Sequence, residues 1–278
     1  KPNIALLSGI AWDHVNVFPT FDNYLDQFRI FVGLIENGGK LIYSVDDEYV
    51  KQVAEHSDNQ IEKVPYSVPK HRTENGVTYL VLDEEEVPLK IFGNHNLMNL
   101  NGARLVCNSI GVSDSDFYQA IQDFTGASKR LELIGQCQST SIYKDFAHSP
   151  SKLKATTTAV KNQFDNRTLV ACMELHTFSS LNQEFLGEYD GCMNTPDVSV
   201  VYFNPKTLEH KKLPPLTESE VKTAFKRDDL LVFTDSGELV SWLNRQEWNE
   251  KNLLLMSSGN FGGLNLNELA ESLIKATS

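Results

Sequence analysis

TSIYKDFAHSPSKLKATTTAVKNQFDNRTLVACMEL, residues 140–175, decides how the chain is read. TSIYKDF (140–146) has the texture of a strand, about 150–163 that of a helix, and TLVACMEL (168–175) that of a buried strand. Strand, helix and strand in that order form a βαβ unit, whose strands run parallel. Moving outward, DVSVVYF (197–203), LLVFTD (230–235) and NLLLMSS (252–258) repeat the strand signal. Helix-like stretches fall at about 180–188, 217–226, 236–247 and 265–276. The expected fold class is α/β, with a mostly parallel sheet covered by helices on its faces. KTLEHKKLPP (206–215) reads as a surface loop.

Upstream the texture differs. IALLSGI (4–10) reads as a buried strand, and a helix from about Thr20 to Glu36 follows, with Phe21, Tyr24, Leu25, Phe28, Phe31, Val32 and Ile35 at helical spacing. KLIYSV (40–45) is the next strand, and Asp46-Asp47 opens a helix running to about His56. Between Ile61 and Ile91 the spacing of Pro65, Pro69 and Pro88 predicts short strands, with a hairpin turn at Asn75-Gly76. Helices are expected from about Asn96 to Ile110 and from Ser113 to Thr125. The boundary is placed near Gly126, giving regions 1–126 and 127–278.

The chain has 278 residues, 41% of them hydrophobic and 22% charged, the balance of a globular protein large enough to hold a core without disulfides. A formal charge of −12 with no basic stripe argues against nucleic acid or an anionic membrane as partner. No apolar run approaches the roughly 20 residues of a spanning helix. Cys107, Cys137, Cys172 and Cys192 form no C-x-x-C pair, which points to free thiols in a reducing cytoplasmic setting.

In open parallel sheets, ligands sit beyond the carboxyl ends of the strands. That rule selects Asp145 and His148 at the end of TSIYKDF, followed by Ser149-Pro150 as a helix start with Ser149 as N-cap. A capping aspartate with a surface histidine fits the same pattern. In FGNHNLMNLNGA (92–103), His95 and Asn99 are four apart and share a helix face. Asparagine both donates and accepts, as an adenine edge requires, although polar residues also simply start helices. Asp13-His14 past the first strand are candidate cation ligands or an ordinary loop, and Lys129-Arg130 are candidate phosphate contacts or solvated charges. SSGNFGG (257–263) lacks the G-x-x-x-x-G-K-[ST] pattern and reads as a tight turn. No Walker-type loop and no G-x-S-x-G hydrolase motif occurs in these residues.

Four of these fragments fall in one order: Trp12-Asp13-His14, then Gly93-Asn94-His95-Asn96-Leu97-Met98-Asn99, then Lys129-Arg130-Leu131-Glu132, then Asp145-Phe146-Ala147-His148-Ser149-Pro150. In that order they resemble the Mur ligase family, over most of 1–163 and again at 250–265. The resemblance implies the carboxy-terminal part of a three-domain enzyme. Region 1–126 would be the end of a central ATPase domain whose P-loop lies outside these residues, and 127–278 a C-terminal Rossmann-like domain. The implied reaction is ATP- and Mg2+-dependent joining of an amine to the carboxylate of UDP-N-acetylmuramate in peptidoglycan metabolism.

KRLELIG (129–135) and LLLMSSGNFGGLN (253–265) most resemble a branch that uses a tripeptide as the amine; the neighbouring branch uses L-alanine. By resemblance, His14 holds magnesium, Asn96 and Asn99 contact adenine with His95 beside them, Arg130 reaches the ATP phosphates, Asp145 binds ribose, and His148 lines the amine site. Arg130 and His148 would be the catalytic pair. Phe28 stands where some branches carry a carbamylated lysine, Ser149 replaces a second histidine, and Glu174-Leu175-His176-Thr177 lacks an arginine often found there. A rival expectation of another class is a non-catalytic module that binds nucleotide and peptide.

Overall fold

The computed structural model describes residues 1–83 and 85–277, which divide into two compact units, one ending at Thr125 and the other beginning at Gly126.

The N-terminal unit begins with β1 (Ile4–Leu7), α1 (Phe21–Gly33), β2 (Lys40–Ser44), α2 (Glu48–Glu55) and β3 (Glu62–Tyr66). The strands form a parallel sheet in the order β1-β2-β3. Each helix starts where the chain supplies an acceptor: Thr20 Oγ1 takes the Asn23 N–H at 3.2 Å, and Asp47 Oδ1 takes the N–H groups of Tyr49 and Val50, each at 3.0 Å. Asp47 also spans the unit, because its Oδ2 accepts the Ile10 N–H at 2.8 Å and fixes the chain where it leaves β1. On α1, Leu25 and Val32 are buried, joined just beyond its end by Ile35, while Phe31, expected on the same apolar face, is 37% exposed.

An antiparallel sheet follows, β4 (His71–Glu74), β5 (Val77–Val81) and β6 (Glu86–Leu89), in the order β4-β5-β6. Asn75 (φ 51°) and Gly76 (φ 75°) make the expected hairpin turn, both central residues lying in the left-handed region. Helices α3 (Asn94–Ser109) and α4 (Asp114–Ile121) complete the unit. Gly102 lets α3 lie close on the first sheet: a Cβ there would meet Tyr66 Oη at 2.9 Å and Leu6 Cδ1 at 3.0 Å.

The C-terminal unit contains β7 (Glu132–Gln136), β8 (Ser141–Asp145), α5 (Pro150–Gln163), β9 (Thr168–Leu175), α6 (Gln183–Leu186), β10 (Val198–Phe203), α7 (Pro205–Lys211), α8 (Glu218–Phe225), β11 (Leu231–Phe233), α9 (Ser236–Asn244), β12 (Lys251–Met256) and α10 (Leu266–Thr277). Its sheet has the order β11-β10-β9-β12-β8-β7. β8 to β12 run parallel and only β7 is antiparallel, so this is the mostly parallel α/β architecture expected. The central strands are buried on both faces, which is why they read as continuous apolar runs rather than alternating ones. Ile142, Val170, Val200, Leu253 and Leu255 share one core with Phe261 and Leu269.

Three sequence expectations are corrected. The stretch expected as a surface loop at 206–215 begins inside α7: Asn204 caps it by accepting the Lys206 N–H at 3.0 Å, Pro205 is its first residue, and Leu208 is buried. Asn-Pro was a helix-start signal that the charged run concealed. The helix expected at 180–188 is instead two 3-10 turns, Ser179–Leu181 and Gly187–Tyr189, around the single turn of α6. β7 was not expected as a strand; its bulge between Leu133 and Gly135 breaks the alternation that would have marked it.

Strand order fixes where a ligand can enter. From β9 the chain moves outward to β10 and β11; β12 then returns between β9 and β8, and α10 packs against β7 on the other side. Connections therefore leave β9 and β12 in opposite directions, which makes their carboxyl ends the switch point of the sheet. Among the described residues no helix is long and apolar enough to cross a membrane.

The Asp47 contacts give a direct test. Asp47→Ala removes one helix cap and the tie to Ile10, and is expected to cost about 1–3 kcal/mol, read as a lower urea midpoint with an unchanged slope.

Candidate functional site

Lys129-Arg130-Leu131-Glu132 is a corner with two residues in the left-handed region, Lys129 at φ 57° and Leu131 at φ 44°. Such backbone costs on the order of 1–3 kcal/mol per residue and persists only where neighbours enforce it. The enforcement comes from the end of β8. The Leu131 N–H donates to Asp145 Oδ2 at 2.7 Å, and the Phe146 N–H donates to the Lys129 carbonyl at 2.8 Å. Glu132 closes the corner by accepting the Lys129 N–H at 2.8 Å and pairing with Lys144 at 2.9 Å. Arg130 is left exposed, its guanidinium 5.3 Å from the centre of the Phe146 ring.

Asp145 is 6% exposed. Its second oxygen accepts the Ala147 N–H at 2.6 Å. Burial holds its carboxyl above the usual carboxylate range, against the Leu131 and Ala147 N–H groups and the Arg130 charge. Each oxygen thus takes one backbone N–H and keeps a lone pair. His148 follows, 7% exposed, with Nδ1 2.8 Å from the Phe146 carbonyl; a carbonyl only accepts, so Nδ1 carries a proton. The His148 carbonyl accepts the hydroxyl of fully buried Tyr189 at 2.5 Å, and Tyr189 in turn stacks on Phe225. Ser149 occupies the N-cap position before Pro150, but its side chain makes no capping bond, unlike the expected cap.

One strand further, β9 ends in a second group that the sequence reading left without a role. Glu174 is 2% exposed and accepts the Ser257 hydroxyl and, at 2.8 Å, the Phe261 N–H. His176 Nδ1 lies 3.6 Å from its other oxygen. Burial alone would raise the Glu174 carboxyl, but His176, the Ser257 hydroxyl and the Phe261 N–H outweigh it and hold it below the usual range. Ser257 joins the two groups: its N–H donates to the Asp145 carbonyl at 3.0 Å while its hydroxyl serves Glu174. SSGNFGG is a tight turn as read, with φ of 50° at Phe261, 72° at Gly262 and 94° at Gly263. Its additional role as the hydroxyl and amide source for Glu174 was legible only through the strand-end rule, once β9 and β12 were known to be neighbours.

In the N-terminal unit, Asp13 is buried and its Oδ1 accepts the His14 N–H at 2.8 Å, holding His14 exposed at φ 56°. Gly93 (φ 87°) starts α3, and the Asn96 amide donates to the Phe92 carbonyl at 2.9 Å, so Oδ1 is what it can offer a ligand. His95 is half-buried and Asn99 is exposed one turn on.

Residues 1–107 match the Mur ligase middle domain family. A UDP-N-acetylmuramate–L-alanine ligase of Caldicellulosiruptor bescii is 29% identical over 215 residues, 72% of this chain and 46% of the relative. Over residues 1–107 the chain therefore carries a Mur ligase middle domain. Two solved Mur ligases have the same fold across 99% of the chain. One is a murein peptide ligase of Psychrobacter arcticus, with a TM-score of 0.63, 20% identity and 58% of that chain covered. The other is the MurF ligase of Thermotoga maritima in complex with ADP, with a TM-score of 0.71, 15% identity and 62% of that chain covered. The chain thus spans about half the length of the curated relatives it matches.

The resemblance implies a nucleotide and a divalent cation, and the residues present can be tested against both. Among the described residues no group of three or more His, Cys, Asp or Glu is placed to hold a metal ion. His14 with Asp13 fits magnesium only as a minor protein contribution, which is how that ion is commonly held beside phosphates and water. Adenine fits better, since the Asn99 amide and Asn96 Oδ1 together offer donor and acceptor on the first turns of α3.

The pKa direction at Glu174 predicts a pH signature. Its folded-state value lies below that of the unfolded chain, so its charged form contributes stability above the ordinary carboxylate range, and this is lost as pH falls through the folded value. Glu174→Gln is therefore expected to cost on the order of 1–3 kcal/mol at pH 7 and progressively less toward acid, measured by urea unfolding across pH.

Proposed function

We propose that the chain is the adenosine-contacting and amine-docking part of an ATP-dependent ligase of peptidoglycan metabolism. It would join a peptide amine to the carboxylate of UDP-N-acetylmuramate. In this reading 1–126 is the end of the central domain and 127–278 the C-terminal Rossmann-like domain. The observation that carries it is the clip at the end of β8, where two motifs far apart in the sequence, Lys129–Glu132 and Asp145–Pro150, are tied by the Asp145 carboxylate. That clip gathers an exposed guanidinium, a buried carboxylate and an imidazole at one strand end.

A carboxylate resists attack by an amine because its charge repels the nucleophile and oxide is a poor leaving group. ATP with Mg2+ supplies the remedy, a phosphoryl group that turns the oxide into a phosphate leaving group. This demands positioning and charge neutralisation more than covalent help from the protein. Arg130 is the charge this unit offers to phosphate, and its aromatic support on Phe146 limits its freedom. Asn96, Asn99 and His95 hold adenine, the remaining Asp145 lone pairs accept from ribose, His14 assists the metal, and His148 lines the amine site. The four cysteines are free thiols, in keeping with a cytoplasmic setting.

The murein peptide ligase branch, which takes L-alanyl-γ-D-glutamyl-meso-diaminopimelate, is our first assignment, on the KRLELIG and LLLMSSGNFGGLN segments. L-Alanine as the amine is the second, favoured by curated relatives named UDP-N-acetylmuramate–L-alanine ligase. Assaying the full-length protein for ADP release with UDP-N-acetylmuramate and either amine decides between them. Turnover with the tripeptide alone is expected; turnover with L-alanine alone would reverse the branch assignment. Asn99→Ala should raise KM for ATP on the order of 10-fold, about 1.4 kcal/mol, and Arg130→Ala should lower kcat roughly 100-fold. An Arg130→Ala enzyme at wild-type rate would remove that residue from the mechanism.

A further inference from the structure

We infer that His176, backed by the buried carboxylate of Glu174, is the group that takes the proton the incoming amine must lose. This rests on the ligase reading above. An amine that reaches the site as ammonium has no lone pair with which to attack a carbonyl carbon, and near neutral pH an α-amino group is substantially protonated. A proton acceptor is therefore needed where the amine docks, and the rule for open parallel sheets puts that place at the switch point, beyond the ends of β9 and β12.

Glu174 and His176 stand there as a carboxylate–imidazole pair. Nδ1 faces Glu174 Oε1 at 3.6 Å, an ion-pair distance longer than a formed hydrogen bond, of the kind that tightens when substrate binds. A carboxylate on the Nδ1 side favours the tautomer with the proton there, which leaves the Nε2 lone pair on the opposite edge of a ring that is 37% exposed. The carboxylate itself is immobilised by the Ser257 hydroxyl and the Phe261 N–H, and its charge offsets the one the imidazole acquires with the proton.

The turn after β12 packs against both members of the pair. A Cβ at Gly259 would lie 2.7 Å from His176 Cγ, from His176 Nδ1 and from Glu174 Oε2, so bare backbone is packed against the pair. His148 is less suited to accepting this proton, because it is 7% exposed and its Nδ1 is backed by a neutral carbonyl rather than a carboxylate.

In the step this assigns, the ammonium proton moves to His176 Nε2 and the freed lone pair forms the C–N bond at the acyl phosphate carbonyl. The C–O bond to phosphate then breaks, its electron pair leaving with phosphate. The second nitrogen proton departs with that phosphate, giving a neutral amide, hydrogen phosphate and imidazolium.

Hydroxylamine separates this step from the rest of the reaction, because it is largely unprotonated at neutral pH and captures an acyl phosphate as a hydroxamate without surrendering an ammonium proton. In full-length protein with ATP and UDP-N-acetylmuramate, His176→Gln is expected to lower amide formation with the tripeptide roughly 100-fold while hydroxamate formation stays within a few-fold of wild type. Gly259→Ala, which retains both side chains but crowds the ring, should show the same selective loss. An equal fall of both products in His176→Gln, or an unchanged amide rate, overturns the assignment. Failure of the wild-type enzyme to form hydroxamate would overturn the ligase reading itself, and this inference with it.

Discussion

The Asp145 carboxylate is the constraint on which the C-terminal unit's site depends. It is nearly out of reach of solvent, and burial works against its charge. What compensates is a pair of backbone N–H groups from opposite directions, Leu131 before β7 and Ala147 after β8. Those two bonds convert a buried liability into a brace: the corner cannot relax from its left-handed backbone without abandoning a buried carboxylate. Arg130 is thereby displayed on a loop braced at both ends by hydrogen bonds to the end of β8.

The brace continues sideways through Ser257. Its N–H and hydroxyl serve the Asp145 carbonyl and Glu174 respectively, so three strand ends are tied by one residue. The order β9-β12-β8 makes this possible, since β12 is inserted between two strands that follow one another in sequence. Without that insertion the two carboxylates would sit on adjacent strands with no hydroxyl between them. The same insertion creates the switch point, so the topology that makes the connections diverge also supplies the residue that ties the strand ends there.

The two buried carboxylates differ instructively. Asp145 accepts from two backbone N–H groups and is held above the usual range, whereas Glu174 accepts from a hydroxyl and an N–H, faces a neighbouring imidazole, and is held below it. Burial is the largest influence at both; the balance of donors decides the direction. A carboxyl raised by burial and a carboxyl that keeps its charge beside an imidazole are thus separated by one strand.

The strand runs, the βαβ alternation, the Asn75-Gly76 turn and the helix starts at Thr20 and Asp47 were all legible in the sequence, because periodicity and capping are local and a few residues suffice to specify them. Helix α7 and strand β7 were obscured, the first by a charged run that hides one buried leucine, the second by a bulge that breaks the alternation. Family motifs pointed to His14, Asn99, Arg130, Asp145 and His148 without saying what holds any of them. Only the tertiary structure disclosed that Glu174 and Ser257, 83 residues apart, share a hydrogen bond, and that Gly259 is bare because an imidazole lies against it. Strand order is settled by which apolar faces pack together across the whole unit, and no local pattern in a chain encodes that pairing.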